Sequence, residues 1–68
     1  MTIYTEYDIV YAARDLSQDI LKGCLGTVVM VFTAPSEGYL VEFLDDNGDY
    51  RDVVTVDATD ITKKKEGS

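Results

Sequence analysis

Five short apolar runs constrain what this chain can build more than any other feature. They cover residues 9–13, 26–32, 39–44 and 50–56 and end on Ile61, with turn-rich segments between them at spacings of about ten residues. Val, Ile, Thr, Tyr and Phe dominate the runs. None keeps the i, i+3, i+4, i+7 apolar pattern over the roughly ten residues that a helix needs. The rhythm predicts an all-β fold of five short strands.

Faces and joints follow from the same pattern. Tyr39, Val41 and Phe43 alternate with Leu40, Glu42 and Leu44, which turns the first set inward. Asp45-Asp46-Asn47-Gly48-Asp49 joins two apolar runs, and Asn-Gly there predicts a hairpin because both residues tolerate φ > 0. Residues 26–32 are apolar almost throughout. That suits a central strand whose buried face switches at a bend or bulge, as barrel closure requires. Ala34-Pro35-Ser36-Glu37-Gly38 predicts a second hairpin, with Pro35 setting φ and Gly38 able to take φ > 0. Residues 15–23 carry apolar side chains only at Leu16, Ile20 and Leu21, which predicts a long loop pinned to the core with room for one helical turn from Ser17. The segment from Val56 to Ile61 suits a 3₁₀ turn before the last strand. A single domain is expected over residues 1–62, followed by a fraying lysine-rich tail at 63–68.

A chain of 68 residues holds one small domain, and a domain of that size buries only about 60% of the surface its unfolded chain exposes. The 46% hydrophobic content meets that demand. No run approaches the roughly 18 apolar residues of a membrane helix. The opening MTIYTEYD has neither the basic nor the apolar region of a secretory leader. A single Cys where small secreted domains carry several adds to the expectation of a cytoplasmic protein.

The residue inventory removes most catalytic chemistry. With no His and only Cys24, the chain supplies no histidine-dependent triad, no histidine metal site, no internal disulfide and no Cys-rich zinc site. Cys24 follows Gly23 and has only Lys22 as a nearby cation, so it reads as structural. The acids at 45–49 invite a calcium loop. With Gly48 in the glycine slot, however, the first ligand position falls on Phe43 and the last on Val54, which leaves a polar hairpin tip. The carboxylates sit in turns or on exposed faces, where nothing raises one pKa against another. The chain is read as non-enzymatic, with no catalytic, metal-binding or cofactor-binding residue.

Charge points to a partner. Thirteen acids against six bases leave a net charge of -7, which opposes any binding driven by phosphate neutralisation and makes nucleic acid a disfavoured partner. The excess is uneven. Glu42, Asp45, Asp46, Asp49, Asp52, Asp57 and Asp60 face the single Arg51 before Lys63-Lys64-Lys65, and residues 1–62 alone carry twelve acids against three bases, or -9. An acidic edge of this kind steers a basic protein surface toward itself, besides serving solubility and protecting strand edges. Five Tyr residues add aromatic contact area: Tyr39 is expected in the core, and Tyr4, Tyr7, Tyr11 and Tyr50 partly exposed. The candidate partner-binding residues are Tyr11, Met30, Asp45, Asp46, Asp49, Tyr50 and Asp52.

Gly26-Thr27-Val28-Val29-Met30-Val31-Phe32, preceded by Leu21-Lys22-Gly23 and followed by Gly38-Tyr39-Leu40-Val41-Glu42-Phe43, resembles the small five-stranded Src-homology-3-like barrels. Its Gly-x-Val-x-x-Val step is similar to the KOW element of ribosomal and transcription-elongation proteins. Tyr7-Asp8-Ile9-Val10, Asp15-Leu16, Gly-Thr-Val-Val, Val-Glu-Phe and the acidic hairpin together resemble a short bacterial family of unknown function, over about residues 7–62. That resemblance implies the barrel and a small accessory or interaction protein, with an accessory or an antitoxin or immunity-type role toward a basic partner surface as the expectation. The KOW likeness implies RNA or ribosome contact, which those modules make with basic side chains; here the matching region offers only Lys22. A structural subunit of an oligomer is the further alternative.

Overall fold

Alternating apolar and polar residues in short runs pair here as a meander. The computed structural model describes residues 3–45 and 47–63. Its strands are β1 (Ile9–Ala12), β2 (Leu25–Phe32), β3 (Gly38–Leu44), β4 (Tyr50–Val56) and β5 (Ile61–Thr62), with a 3₁₀ turn at Ala58–Asp60 before β5. All pairings are antiparallel, in the order β4-β3-β2-β1-β5, and the sheet curls into a half-barrel. β2 is the central strand, as its apolar run predicts.

The curl has a local cause. Cross-strand partners of β2 step from Val28↔Val41 to Met30↔Leu40, so Val29 is an extra, bulged residue. The bulge reverses the alternation. Gly26 and Val28 face the core before it, and Val31 packs against the core after it. Gly26 makes room on the same strand. A Cβ there would lie 2.7 Å from Val41 Cγ1 and 2.9 Å from Phe43 Cδ1. Only a residue without a side chain lets Phe43 close over β2.

Val10, Ala12, Ile20, Val28, Tyr39, Val41, Phe43, Val56 and Ile61 form the core, with Tyr39, Val41 and Phe43 facing inward as expected. Tyr4 joins them, which corrects the expectation of partial exposure. Its ring stands edge-on to Tyr39 at 5.3 Å, and its hydroxyl donates to the Ile61 carbonyl at 3.1 Å. The Tyr39 hydroxyl accepts from the Ile3 amide at 3.0 Å and the Tyr4 amide at 3.4 Å, and it donates to Glu37. Burial, and then the bond to Glu37, pushes the Tyr39 hydroxyl pKa above its ordinary value.

The long loop is pinned by fewer residues than its sequence implies. Ile20 is fully buried and Leu16 packs against the core, but Leu21 is 55% exposed. No helical turn forms from Ser17. Its hydroxyl instead accepts from the amides of Asp19 and Ile20, while the Leu16 amide donates to the Ile20 carbonyl at 2.8 Å. Of the two hairpin glycines, only Gly38 departs from expectation. In the β3–β4 hairpin Gly48 takes φ 83, as expected, and a turn closes from the Gly48 amide to the Asp45 carbonyl at 2.9 Å. Gly38 has no positive φ; it is buried at the start of β3 and pairs with Phe32.

Asp60 and Asp8 are tied into the fold by hydrogen bonds and ion pairs. Asp60 is buried, accepts the Arg14 guanidinium on Oδ1 and the Asp57 amide on Oδ2 at 2.9 Å, and so does not belong to the solvated acidic edge. Asp8 accepts the Thr5 amide at 2.9 Å and pairs with Lys63 at 3.2 Å, closing a turn whose third residue, Tyr7, takes φ 71. Lys63 also sits 5.7 Å from the Tyr4 ring centroid, which ties the first residue assigned to the tail back to the domain. The remaining tail, 64–68, lies outside the described residues.

Gly26→Ala should cost about 1–3 kcal/mol, read by urea unfolding, because Val41 and Phe43 must move to admit the methyl group. Unchanged stability would show that Phe43 does not rest on β2. The Thr5 amide, and then Lys63, hold the Asp8 pKa below its unfolded value of 3.8. Its stabilisation is therefore complete above 3.8 and disappears as pH falls through the lower folded value. Asp8→Asn should be less stable than the parent chain at neutral pH, with the difference closing in acid below 3.8. A difference independent of pH would refute the role of the charge.

Candidate functional site

Once the core face is assigned, the opposite parity gives the convex face of the sheet. Leu40, Glu42 and Leu44 point outward from β3, so their cross-strand partners do as well. One row runs Met30–Leu40–Thr55 and the next Ile9–Thr27–Glu42–Val53. The third holds Thr62, Tyr11 and Leu25, with Leu44 and Tyr50 paired at the same level one step beyond Gly26↔Phe43. The face is apolar over much of its width, with half-buried Glu42 near its centre. Ile9, Met30 and Tyr50 are 52%, 47% and 63% exposed. Contiguous apolar surface of this kind on a small domain marks an interaction site more often than scattered exposed residues do.

Tyr11, Met30 and Tyr50 therefore share one face, and Asp45, Asp49 and Asp52 do not join them there. Asp45 is consumed by the hairpin it shapes. Its Oδ1 accepts from the amides of Asn47 and Asp49, both at 2.9 Å, and its own amide donates to the Asp49 carbonyl at 2.9 Å. Asp49 is exposed at that tip, beyond the Leu44–Tyr50 end of the face. Asp52 pairs with Phe43 and so falls on the opposite side of β4. Its Oδ1 accepts the Val53 amide at 2.8 Å, which occupies a donor on the sheet's edge strand. Asp46 lies outside the described residues. Ile9, Leu25, Leu40 and Val53 complete the face. Alternation within each run contained that signal, but the register that aligns the runs did not appear in it.

A groove of about 340 Å³ opens from the other end of the same face. Phe32, Gly38 and Thr55 line it, together with Pro35 and Glu37 from the β2–β3 turn and Asp57 from the segment after β4. It joins the β2–β3 turn to the segment after β4, residues that only the fold makes neighbours. Two hydrogen bonds tie its acidic members to the core: the Tyr39 hydroxyl donates to Glu37, and Asp60 accepts the Asp57 amide.

Cys24 is half-buried, and its thiol donates to the Leu44 carbonyl at 3.2 Å, a packing role at the β2 entrance. Among the described residues, no group of three or more His, Cys, Asp or Glu side chains is placed to hold a metal ion, and no helix is long and apolar enough to cross a membrane. No curated protein and no solved structure matches the chain. A family described as a domain of unknown function (DUF4926) matches residues 6–63, a span that contains all five strands, and the chain belongs to that family.

Proposed function

We propose that this protein is a non-enzymatic interaction module that binds another protein through the convex face of its sheet, with carboxylates at both ends guiding a basic partner surface. The observation that carries this reading is the alignment of Tyr11, Met30 and Tyr50 with Ile9, Leu40 and Val53 on one uncovered sheet face. Charge supports it: Asp49 lies beyond one end of the face, Glu37 and Asp57 line the other, and the chain carries -7 overall. Acidic steering brings a basic partner in, and desolvation of the aromatic and aliphatic side chains holds it. The meander order is compatible with a small Src-homology-3-like barrel acting in the bacterial cytoplasm. An accessory, antitoxin or immunity role fits such a module.

Affinity enrichment on the immobilised chain, compared with a Met30→Glu variant of matched circular dichroism, tests the reading. A protein partner should bind Met30→Glu about tenfold more weakly or worse, as for a residue at the centre of an interface. Its association should slow with added salt and with Asp49→Asn. Asp45 is unsuitable for that comparison because its loss opens the hairpin. Equal recovery on both matrices overturns the proposal. So does an eluate of nucleic acid, as a KOW-like module would give, or a tight partner-free oligomer by light scattering.

A further inference from the structure

The groove beside Phe32 extends the convex face, and its chemistry selects a particular contact. Gly38 leaves the inner wall open. A Cβ at that position would meet Phe32 Cδ2 and Thr55 Cγ2, both at 3.9 Å, and the Val56 carbonyl at 3.7 Å. These are ordinary contacts, and the backbone there has no positive φ, so a side chain would fit without strain and fill space that glycine leaves vacant. One wall is the half-buried Phe32. Glu37 and Asp57, which also line the groove, are exposed residues. Asp60 also reaches the groove, but Arg14 and the Asp57 amide occupy its two oxygens, so it supports the backbone at Asp57 rather than receiving a ligand.

We infer that this groove receives an arginine side chain of the protein partner, its guanidinium lying against Phe32 and paired with Glu37 and Asp57. An aromatic wall with two acidic residues in the same lining suits a planar, weakly hydrated cation that stacks on a ring while donating to carboxylates. A compact ammonium makes poorer use of the ring and holds its water more strongly. Glu37 is prepared for the contact because the Tyr39 hydroxyl already holds its Oε2. The inference rests on the partner-binding reading above and assigns it a chemical anchor at one end of the face.

The test uses the full chain and an acetylated, amidated Gly-Arg-Gly peptide, followed by amide ¹H–¹⁵N shifts. Shifts should centre on Glu37, Gly38, Thr55 and Asp57. The citrulline peptide, which keeps the shape and loses the charge, should bind about tenfold more weakly, as should the parent peptide to the Glu37→Gln/Asp57→Asn chain. Gly38→Ala should keep the parent spectrum elsewhere and also weaken binding, since it fills the groove without breaking the fold. The inference is overturned by equal binding of arginine and citrulline peptides, by equal binding of a Gly-Lys-Gly peptide, or by shifts gathered at the 45–49 hairpin instead. It is likewise overturned if no shift appears at millimolar peptide, or if both variants bind as the parent does. A partner lost on Met30→Glu but indifferent to Glu37→Gln/Asp57→Asn would leave the interaction module standing and remove the arginine anchor alone.

Discussion

Curvature of β2 is the constraint on which the other elements depend. A straight eight-residue strand would send every second side chain to one face, and the sheet could not close over a core this small. The Val29 bulge reverses the alternation midway, so Val28 and Val31 both serve the inside. Gly26 removes the obstacle that any Cβ would present to Phe43 and Val41. Tyr39 then comes inside at the far end of β3, where its hydroxyl ties down Ile3 and Tyr4. Without the bend, the N-terminal segment would have no hydroxyl to rest on and no ring to pack against.

The same geometry sorts the acids into two groups. Asp8, Asp45 and Asp60 accept backbone amides and two of them pair with cations, so their charge is used in turns and caps. Glu37, Asp49 and Asp57 are exposed near the ends of the convex face. The proposed steering thus involves fewer carboxylates than the chain's composition offers. Asp52 stands apart, because its contact with the Val53 amide blunts the edge of β4.

Much of the fold was legible because sheet formation is encoded locally. Period-two alternation placed Tyr39, Val41 and Phe43 inside, an apolar run marked the central strand, and Asn-Gly marked a hairpin. Errors occurred where one residue type serves two purposes. Gly38 reads as a turn glycine and is instead a missing side chain beside Phe32. Tyr4 reads as a surface aromatic because nothing near it in sequence shows that Tyr39 and Ile61 will receive it. Asp60 reads as one more acid of the edge, since Arg14 lies 46 residues away. Leu21 reads as core because loop apolars look alike until one of them, Ile20, fills the available space.

The sequence by itself determined the all-β class, the strand positions to within about two residues, the bent central strand, and the exclusion of histidine and disulfide chemistry. Those properties rest on side-chain periodicity, turn chemistry and inventory, which act over a few residues or over none. Tertiary structure alone decided that Tyr11, Met30 and Tyr50 share a face, that Asp52 does not, and that a groove joins Phe32 to Asp57. Each depends on the register between strands distant in sequence. That register is set by the bulge and by the fit of Phe43 over Gly26, interactions that exist only once the sheet has closed.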